Sequence, residues 1–253
     1  MAEELLQEDL ENVGVELEKE MTFLEHLEEL RWRIIYSIIG IVVGTIIAWI
    51  FIDFLVDVVL LKPAKDSGAI LQNLRPFGQL FLYMQIAIMV GMIISIPNLF
   101  FQFWQFISPA LRKKEKKYIF WIVVFSSVCF LGGIAFAYFA MLPLTLKFAA
   151  EFGSEMIKNE FAIDEYMSII ISVMLAAGFV FELPMISFFL SKLGILKPAI
   201  MRKFRRHSIV VIMILAAFLT PGADPVSQLV LAVPLVVLYE ISIFISKISQ
   251  KKS

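Results

Sequence analysis

The stretch GFVFELPMISFFLSK, residues 178–192, holds a single carboxylate, Glu182, inside an apolar run. The sixteen residues before it, back to Tyr166, and the nine after it, up to Ser191, carry no charge. At 1.5 Å per helical residue, Glu182 lies roughly 15 Å from the first base, Lys192. That is about half of a ~30 Å hydrocarbon core, so the carboxylate sits near mid-depth if this run crosses a membrane. A charge there costs about 2.5–3.5 kcal/mol on insertion scales, and a glutamate stem is too short to carry it to the interface. Pro184 follows two residues later and frees the carbonyl of Val180, so a kink and a carboxylate coincide. The plain reading is a protonated structural glutamate bonded to a neighbouring helix. The functional reading gives that carboxylate a working role, the default for an ionisable group inside a membrane.

Composition supports the membrane reading. Of 253 residues, 60% are apolar and only 18% charged, with a mean hydropathy of +0.85. A soluble domain carries about 25% charged residues. The net charge of −1 gives no sign of a nucleic-acid partner. With Cys129 as the one cysteine, no intramolecular disulfide and no CxxC metal cluster is possible. The two histidines are far apart, and no GxSxG, HExxH or phosphate-loop motif occurs, so neither an enzyme nor a cofactor is expected.

Residues 1–21 read as an acidic, solvated tail. Thr22 and Glu25 fit a capping box, and Phe23, Leu24, Leu27, Leu30 and Ile34 recur at helical spacing. This predicts an amphipathic surface helix over 22–33. Six apolar runs follow within 34–248, at about 33–55, 77–103, 118–146, 165–190, 207–220 and 226–246, with a short tail at 249–253. The fifth is short and needs a thinned bilayer or shelter among neighbours. Of the 22 Lys and Arg, only Lys62, Lys65, Arg75, Lys147 and Lys158 fall on the side opposite the N-terminus. That bias places both termini in the cytoplasm. The expected fold is all-α: a polytopic integral membrane protein of six transmembrane helices, some kinked, forming a concave bundle.

Two further stretches draw attention. In HLEELRWR (26–33), Glu25 shares a helix face with Glu28 or Glu29, an acidic patch suited to a basic peptide. The plain alternative is a charged helix anchoring the first span. In FWQFISPALRKKEKKY (103–118), Glu115 works against the basic bias of a cytoplasmic loop, and Phe106 to Leu111 is apolar for a loop, which suggests docking. Glu240 and Gln228 lie near the ends of the last run, and Asp224 or Ser227 can cap it.

These motifs together resemble TatC, the core-subunit family of the bacterial twin-arginine protein translocase. HLEELRWR resembles its N-terminal signature and QFWQFISPALRKKEKK its first cytoplasmic loop. AAGFVFELPMISFFLSKLGI is similar to its fourth span, and LTPGADPVSQLVLAVPLVVLYEISIFIS to its fifth-to-sixth hairpin. The resemblance covers about residues 22–248. It implies a receptor for twin-arginine signal peptides, with Glu29, Arg31, Phe106, Pro109 and Glu115 at the binding site. It implies Glu182 as an intramembrane polar position, Pro63 as a loop proline, and Thr220 and Gln228 as docking positions for single-span TatA-type and TatB-type partners. Asp224 falls in a turn that carries an extra residue relative to the family pattern. The resemblance further implies an oligomeric complex in a bacterial or archaeal-type cytoplasmic membrane, driven by the proton motive force. The competing class is a proton-coupled small-solute transporter with Glu182 and Glu240 as relays, but no internal repeat supports it.

Overall fold

The computed structural model describes residues 23–110, 116, 119–151, 160–192, 194, 196–219 and 225–250. Glu115, Thr220 and Asp224, with the acidic tail and Thr22, lie outside the described residues. Among the described residues, five helical stretches are long and apolar enough to cross a membrane: Phe23–Ile50, Gly78–Ile107, Ile119–Ala150, Ile163–Lys192 and Gln228–Ile248. The surface segment expected over 22–33 and the first span form one continuous helix, α1 (Phe23–Ile50).

The chain leaves α1 through a π-helical turn, Leu55–Leu60, and a short helix, α2 (Lys62–Ser67), in which Pro63 is buried at the first turn. Proline suits that position because its missing N–H would be unbonded there anyway. Gly68 closes α2 at φ 72°, a left-handed conformation that glycine adopts without strain. Then come β1 (Ile70–Gln72) and the long α3 (Gly78–Ile107). The third stretch is α4 (Ile119–Phe136), a π turn at Ala137–Met141, and α5 (Leu142–Glu151). After β2 (Glu160–Ala162), the fourth run is split at Glu182 into α6 (Ile163–Phe181) and α7 (Leu183–Lys192). The last helices are α8 (Pro198–Lys203), α9 (Arg205–Leu219) and α10 (Pro225–Gln250). At 15 residues, α9 is roughly 22 Å long, too short to span a ~30 Å core unaided.

The principal pairings are α1 on α3, α4 on α6, α7 on α10, α3 on α4, and α9 on α10. Small residues allow the closest of these. Gly40 and Gly44 on α1, and Gly91 and Ser95 on α3, are spaced four apart, the spacing that lets membrane helices approach at the backbone. A Cβ on Gly44 would lie 2.5 Å from the Gly91 carbonyl oxygen, and one on Gly91 would lie 2.5 Å from the Thr45 nitrogen. Ser95 Oγ donates to the Gly40 carbonyl at 2.7 Å across the same crossing. Gly133 of α4 meets the Ala177 carbonyl of α6 in the same way, at 2.5 Å from a built Cβ.

The end carrying α2 is tied down by its own bonds. Tyr138 donates to the Val59 carbonyl at 2.6 Å, and buried Tyr166 donates to the Leu60 carbonyl. Both acceptors end the π-helical turn, so the two phenols occupy carbonyls near the irregular backbone. β1 and β2 pair in parallel, Ile70 opposite Glu160, and Arg75 bridges to Asp164 at 2.9 Å.

The glycine crossing gives a direct expectation. Gly44→Ala should destabilise the protein by about 1–3 kcal/mol through backbone displacement. Gly132→Ala, where nothing lies within 4 Å of a built Cβ, should be neutral or slightly stabilising. Thermal unfolding of the detergent-purified variants measures the difference, and equal midpoints would show that the crossing does not set stability.

Candidate functional site

Two polar features stand out, and both use the last turns of α3. The first joins the start of α1 to the end of α3. Glu29 Oε1 accepts from Arg33 Nη2 at 3.1 Å, an i, i+4 pair on α1. Arg33 Nη1 also donates to Gln102 Oε1 at 3.2 Å, and Gln102 Nε2 donates to Asn98 Oδ1 at 3.3 Å. Asn98 Nδ2 in turn donates to the Tyr36 carbonyl at 3.2 Å. One turn further along α3, Phe106 stacks on His26, with ring centroids 4.4 Å apart. The side chains of Glu29 and Arg33 are 18% and 27% exposed, so this pair is less screened than a surface bridge.

The partner of Glu29 is therefore Arg33, not Arg31. Arg31 is exposed and lies over the Trp32 ring, 5.7 Å from its centroid. Glu29 is half-buried. Its second oxygen, Oε2, is buried and has no hydrogen-bond partner among the described residues. A carboxylate oxygen held out of water without a donor is an unsatisfied acceptor, which costs free energy until a donor arrives. Pro109 is half-buried in the 3₁₀ turn Ser108–Ala110 that ends α3.

The second feature surrounds Glu182. The α6 helix stops at Phe181, Glu182 caps it, and the Glu182 carbonyl accepts from Ile186 N at 2.9 Å to start α7. Pro184 is buried in the first turn of α7. Glu182 is 5% exposed and lines a cavity of about 380 Å³ with Ile96 and Phe103 of α3, Ser126 and Phe130 of α4, and Phe179 of α6. The Ser126 hydroxyl and the Phe130 backbone are its polar neighbours on α4. Its Oε1 has no hydrogen-bond partner among the described residues. The wall is otherwise apolar apart from Ser126.

The two features share a helix but not a pocket. Gln102 and Phe106 meet residues of α1, while Phe103 and Trp104 line the cavity. Elsewhere, Gln228 Nε2 donates to the Met213 carbonyl at 3.0 Å, joining α10 to α9. Glu240 pairs with Arg205 at 2.5 Å. Among the described residues, no group of three His, Cys, Asp or Glu is placed to hold a metal ion.

The family model for the Sec-independent protein translocase protein (TatC) matches residues 25–234. The chain belongs to the TatC family. It is 37% identical over 235 residues to the Sec-independent protein translocase protein TatC of Carboxydothermus hydrogenoformans, covering 93% of this chain and 96% of that one. It is 36% identical over 237 residues to the TatC protein of Aquifex aeolicus, covering 92% and 97%. A crystal structure of the twin arginine translocase receptor TatC superposes with a TM-score of 0.76 at 37% identity, covering 89% of this chain and 99% of that chain. The chain is thus a multi-pass helical membrane protein of a protein-translocase family, and the reading as a solute transporter falls away.

Sequence reasoning on this TatC-family chain missed Arg33, Gln102, Asn98 and His26 as parts of the first cluster. The Glu29–Arg33 spacing was visible as an i, i+4 pair. The reach from α1 to α3 was not, because nothing in a single sequence pairs those helices.

The cluster orders the effects of two neighbouring arginines. Arg33→Ala should cost about 1–3 kcal/mol, since it leaves both Glu29 and Gln102 without their donor. Arg31→Ala should stay within about 0.5 kcal/mol, as a surface change. Unfolding midpoints in detergent should rank the variants in that order, and the reverse order would contradict the assigned pairing.

Proposed function

We propose that this TatC-family chain is the twin-arginine signal-peptide receptor and assembly core of a translocase that exports folded proteins across the cytoplasmic membrane. The observation that carries the reading is the buried, unbonded Oε2 of Glu29 at the end of the α1–α3 cluster. A guanidinium is a planar fork of donors that matches a carboxylate, and a signal with two arginines brings two such forks. One meets Glu29; the other meets Glu115, which follows α3 in the sequence. Phe106 and Pro109 give the site an apolar floor, with Phe106 fixed by its stack on His26. Arg31, next to Glu29 in the first motif, discourages peptides that carry further bases.

In this reading six helices cross the bilayer and both termini are cytoplasmic, with the short α9 as the fifth span and α10 as the sixth. Glu182 is a polar contact for an incoming helix at the cavity it lines. Single-span subunits of TatA and TatB type dock along α9 and α10, at Thr220 and Gln228, and the proton motive force supplies the energy. Six helices cannot enclose a folded domain, which is why partner subunits are required.

Crosslinking of a twin-arginine precursor in membranes tests the receptor role. Glu29→Ala and Glu115→Ala should each weaken arginine-dependent crosslinking roughly tenfold, as expected for loss of a hydrogen bond between charged groups worth about 1.5–3 kcal/mol. Unchanged crosslinking in both would sink the assignment. Orientation is checked separately in a Cys129→Ala background. An impermeant maleimide should label Lys158→Cys from outside intact cells and should leave Lys247→Cys unlabelled until the membrane is opened.

A further inference from the structure

The cavity at Glu182 belongs to the site already described. A second recess, of about 270 Å³, lies elsewhere, walled by Trp121, Phe125 and Cys129 of α4, Met185 and Phe188 of α7, and Ile245 of α10. Chain direction fixes where it opens. Trp121 stands in the first turn of α4, Phe188 one turn before the end of α7, and Ile245 near the end of α10. The groove therefore lies toward the end of the bundle where α4 begins and α7 and α10 finish.

That same end carries three lysines. Lys116 precedes α4, Lys192 closes α7, and Lys247 lies in the last turn of α10. Three acids lie next to these stretches: Glu115 precedes Lys116 in the sequence, Glu182 stands just before α7, and Glu240 of α10 is bridged to Arg205. The groove is thus an apolar slot with lysines at its tip. Trp121, 59% exposed, stands at the depth where indole rings prefer the interface.

We propose that this groove binds an anionic phospholipid of the cytoplasmic leaflet, its acyl chain against Trp121, Phe125 and Phe188 and its phosphate among Lys116, Lys192 and Lys247. The leaflet rests on the orientation given under Proposed function. Charge selects this occupant among lipids: a zwitterionic headgroup brings its own cation to the lysines. A net-anionic headgroup gains from each base, and a chain of methylenes matches an apolar wall.

The test uses the full chain with Trp32→Phe, Trp49→Phe and Trp104→Phe, so that Trp121 alone fluoresces. It is reconstituted into phosphatidylcholine vesicles containing a minor fraction of brominated-acyl phosphatidylglycerol or brominated-acyl phosphatidylcholine. The glycerol lipid should associate with Trp121 about fivefold or more strongly than the choline lipid, from quenching against lipid fraction. The preference should fall in high salt. It should be lost with Lys116→Gln, Lys192→Gln and Lys247→Gln combined, while quenching by brominated phosphatidylcholine stays unchanged and so reports an intact groove. A companion protein keeping only Trp49, toward the other end of α1, should show no preference. Equal quenching by the two lipids, or an equal preference at Trp49, overturns the proposal; should the triple variant misfold, salt dependence and the Trp49 comparison still decide. Both leaflets have the same composition, so the site is sampled whichever way the chain faces. A failure of the orientation reading would show only in the maleimide experiment.

Discussion

Lipid tails are as apolar as the leucines and isoleucines they surround, so water exclusion does little to drive one membrane helix against another. Helices stay together where backbones come close enough for dispersion to accumulate, or where a polar group bridges them. The α1–α3 crossing meets both conditions at once, with Gly40, Gly44 and Gly91 removing side chains from the contact and Ser95 bonding the Gly40 carbonyl across it. Most of α1 outside this strip faces outward, including Ile38, Val42, Ile46 and Trp49. The crossing is therefore what sets α1 beside α3, and with it Glu29 and Arg33 beside Gln102. Polar contacts hold other pairs: Ser191 to Ser246 between α7 and α10, and Tyr239 to the Met201 carbonyl between α10 and α8.

Irregular backbone inside a membrane survives only where protein shelters it. This bundle has breaks of two kinds. At the π-helical turn Leu55–Leu60, the phenols of Tyr138 and Tyr166 bond the last carbonyls. At Glu182, the helix ends and restarts behind a wall of α3 and α4 side chains, and a carboxylate accompanies the break. The first break is satisfied within the chain. The second leaves a carboxylate oxygen unbonded among the described residues. The role proposed for Glu182 rests on that contrast.

The coincidence of Glu182 with a helix break was legible because it follows from the chemistry of Pro184. The long apolar runs mark helical stretches, although the first helix begins well before its run, at Phe23. The 15-residue α9 was visible as a short run, though a count of residues does not say whether it crosses alone. Other features were hidden by their dependence on pairing. Gly40 and Gly44 display small-xxx-small spacing, but the partner stripe on α3 cannot be assigned without knowing that the two helices meet. The acidic patch read from Glu25, Glu28 and Glu29 treated them alike, whereas Glu29 is the one paired with Arg33, which reaches Gln102 of α3. The short parallel pairing of β1 and β2 joins segments 88 residues apart for Gln72 and Glu160, beyond any local signal.

The mismatch between α9 and its neighbour bears on how partners reach the bundle. α9 has 15 residues and α10 has 26, roughly 22 Å and 39 Å of helix packed side by side. Gln228 fastens the first turn of α10 to the Met213 carbonyl of α9. In the proposed six-span arrangement, the bilayer along this flank must thin or the polar ends must sink into it. Thinning shortens the apolar path for anything that lies there, so a partner helix with a polar residue pays less to place it on this flank than on the flank of α1. A shallow flank beside α9 and a sheltered carboxylate at the α6–α7 break are two ways for one bundle to lower the cost of polarity in lipid. In the proposed function they serve different helices, because one is open to the bilayer and the other is walled by α3 and α4.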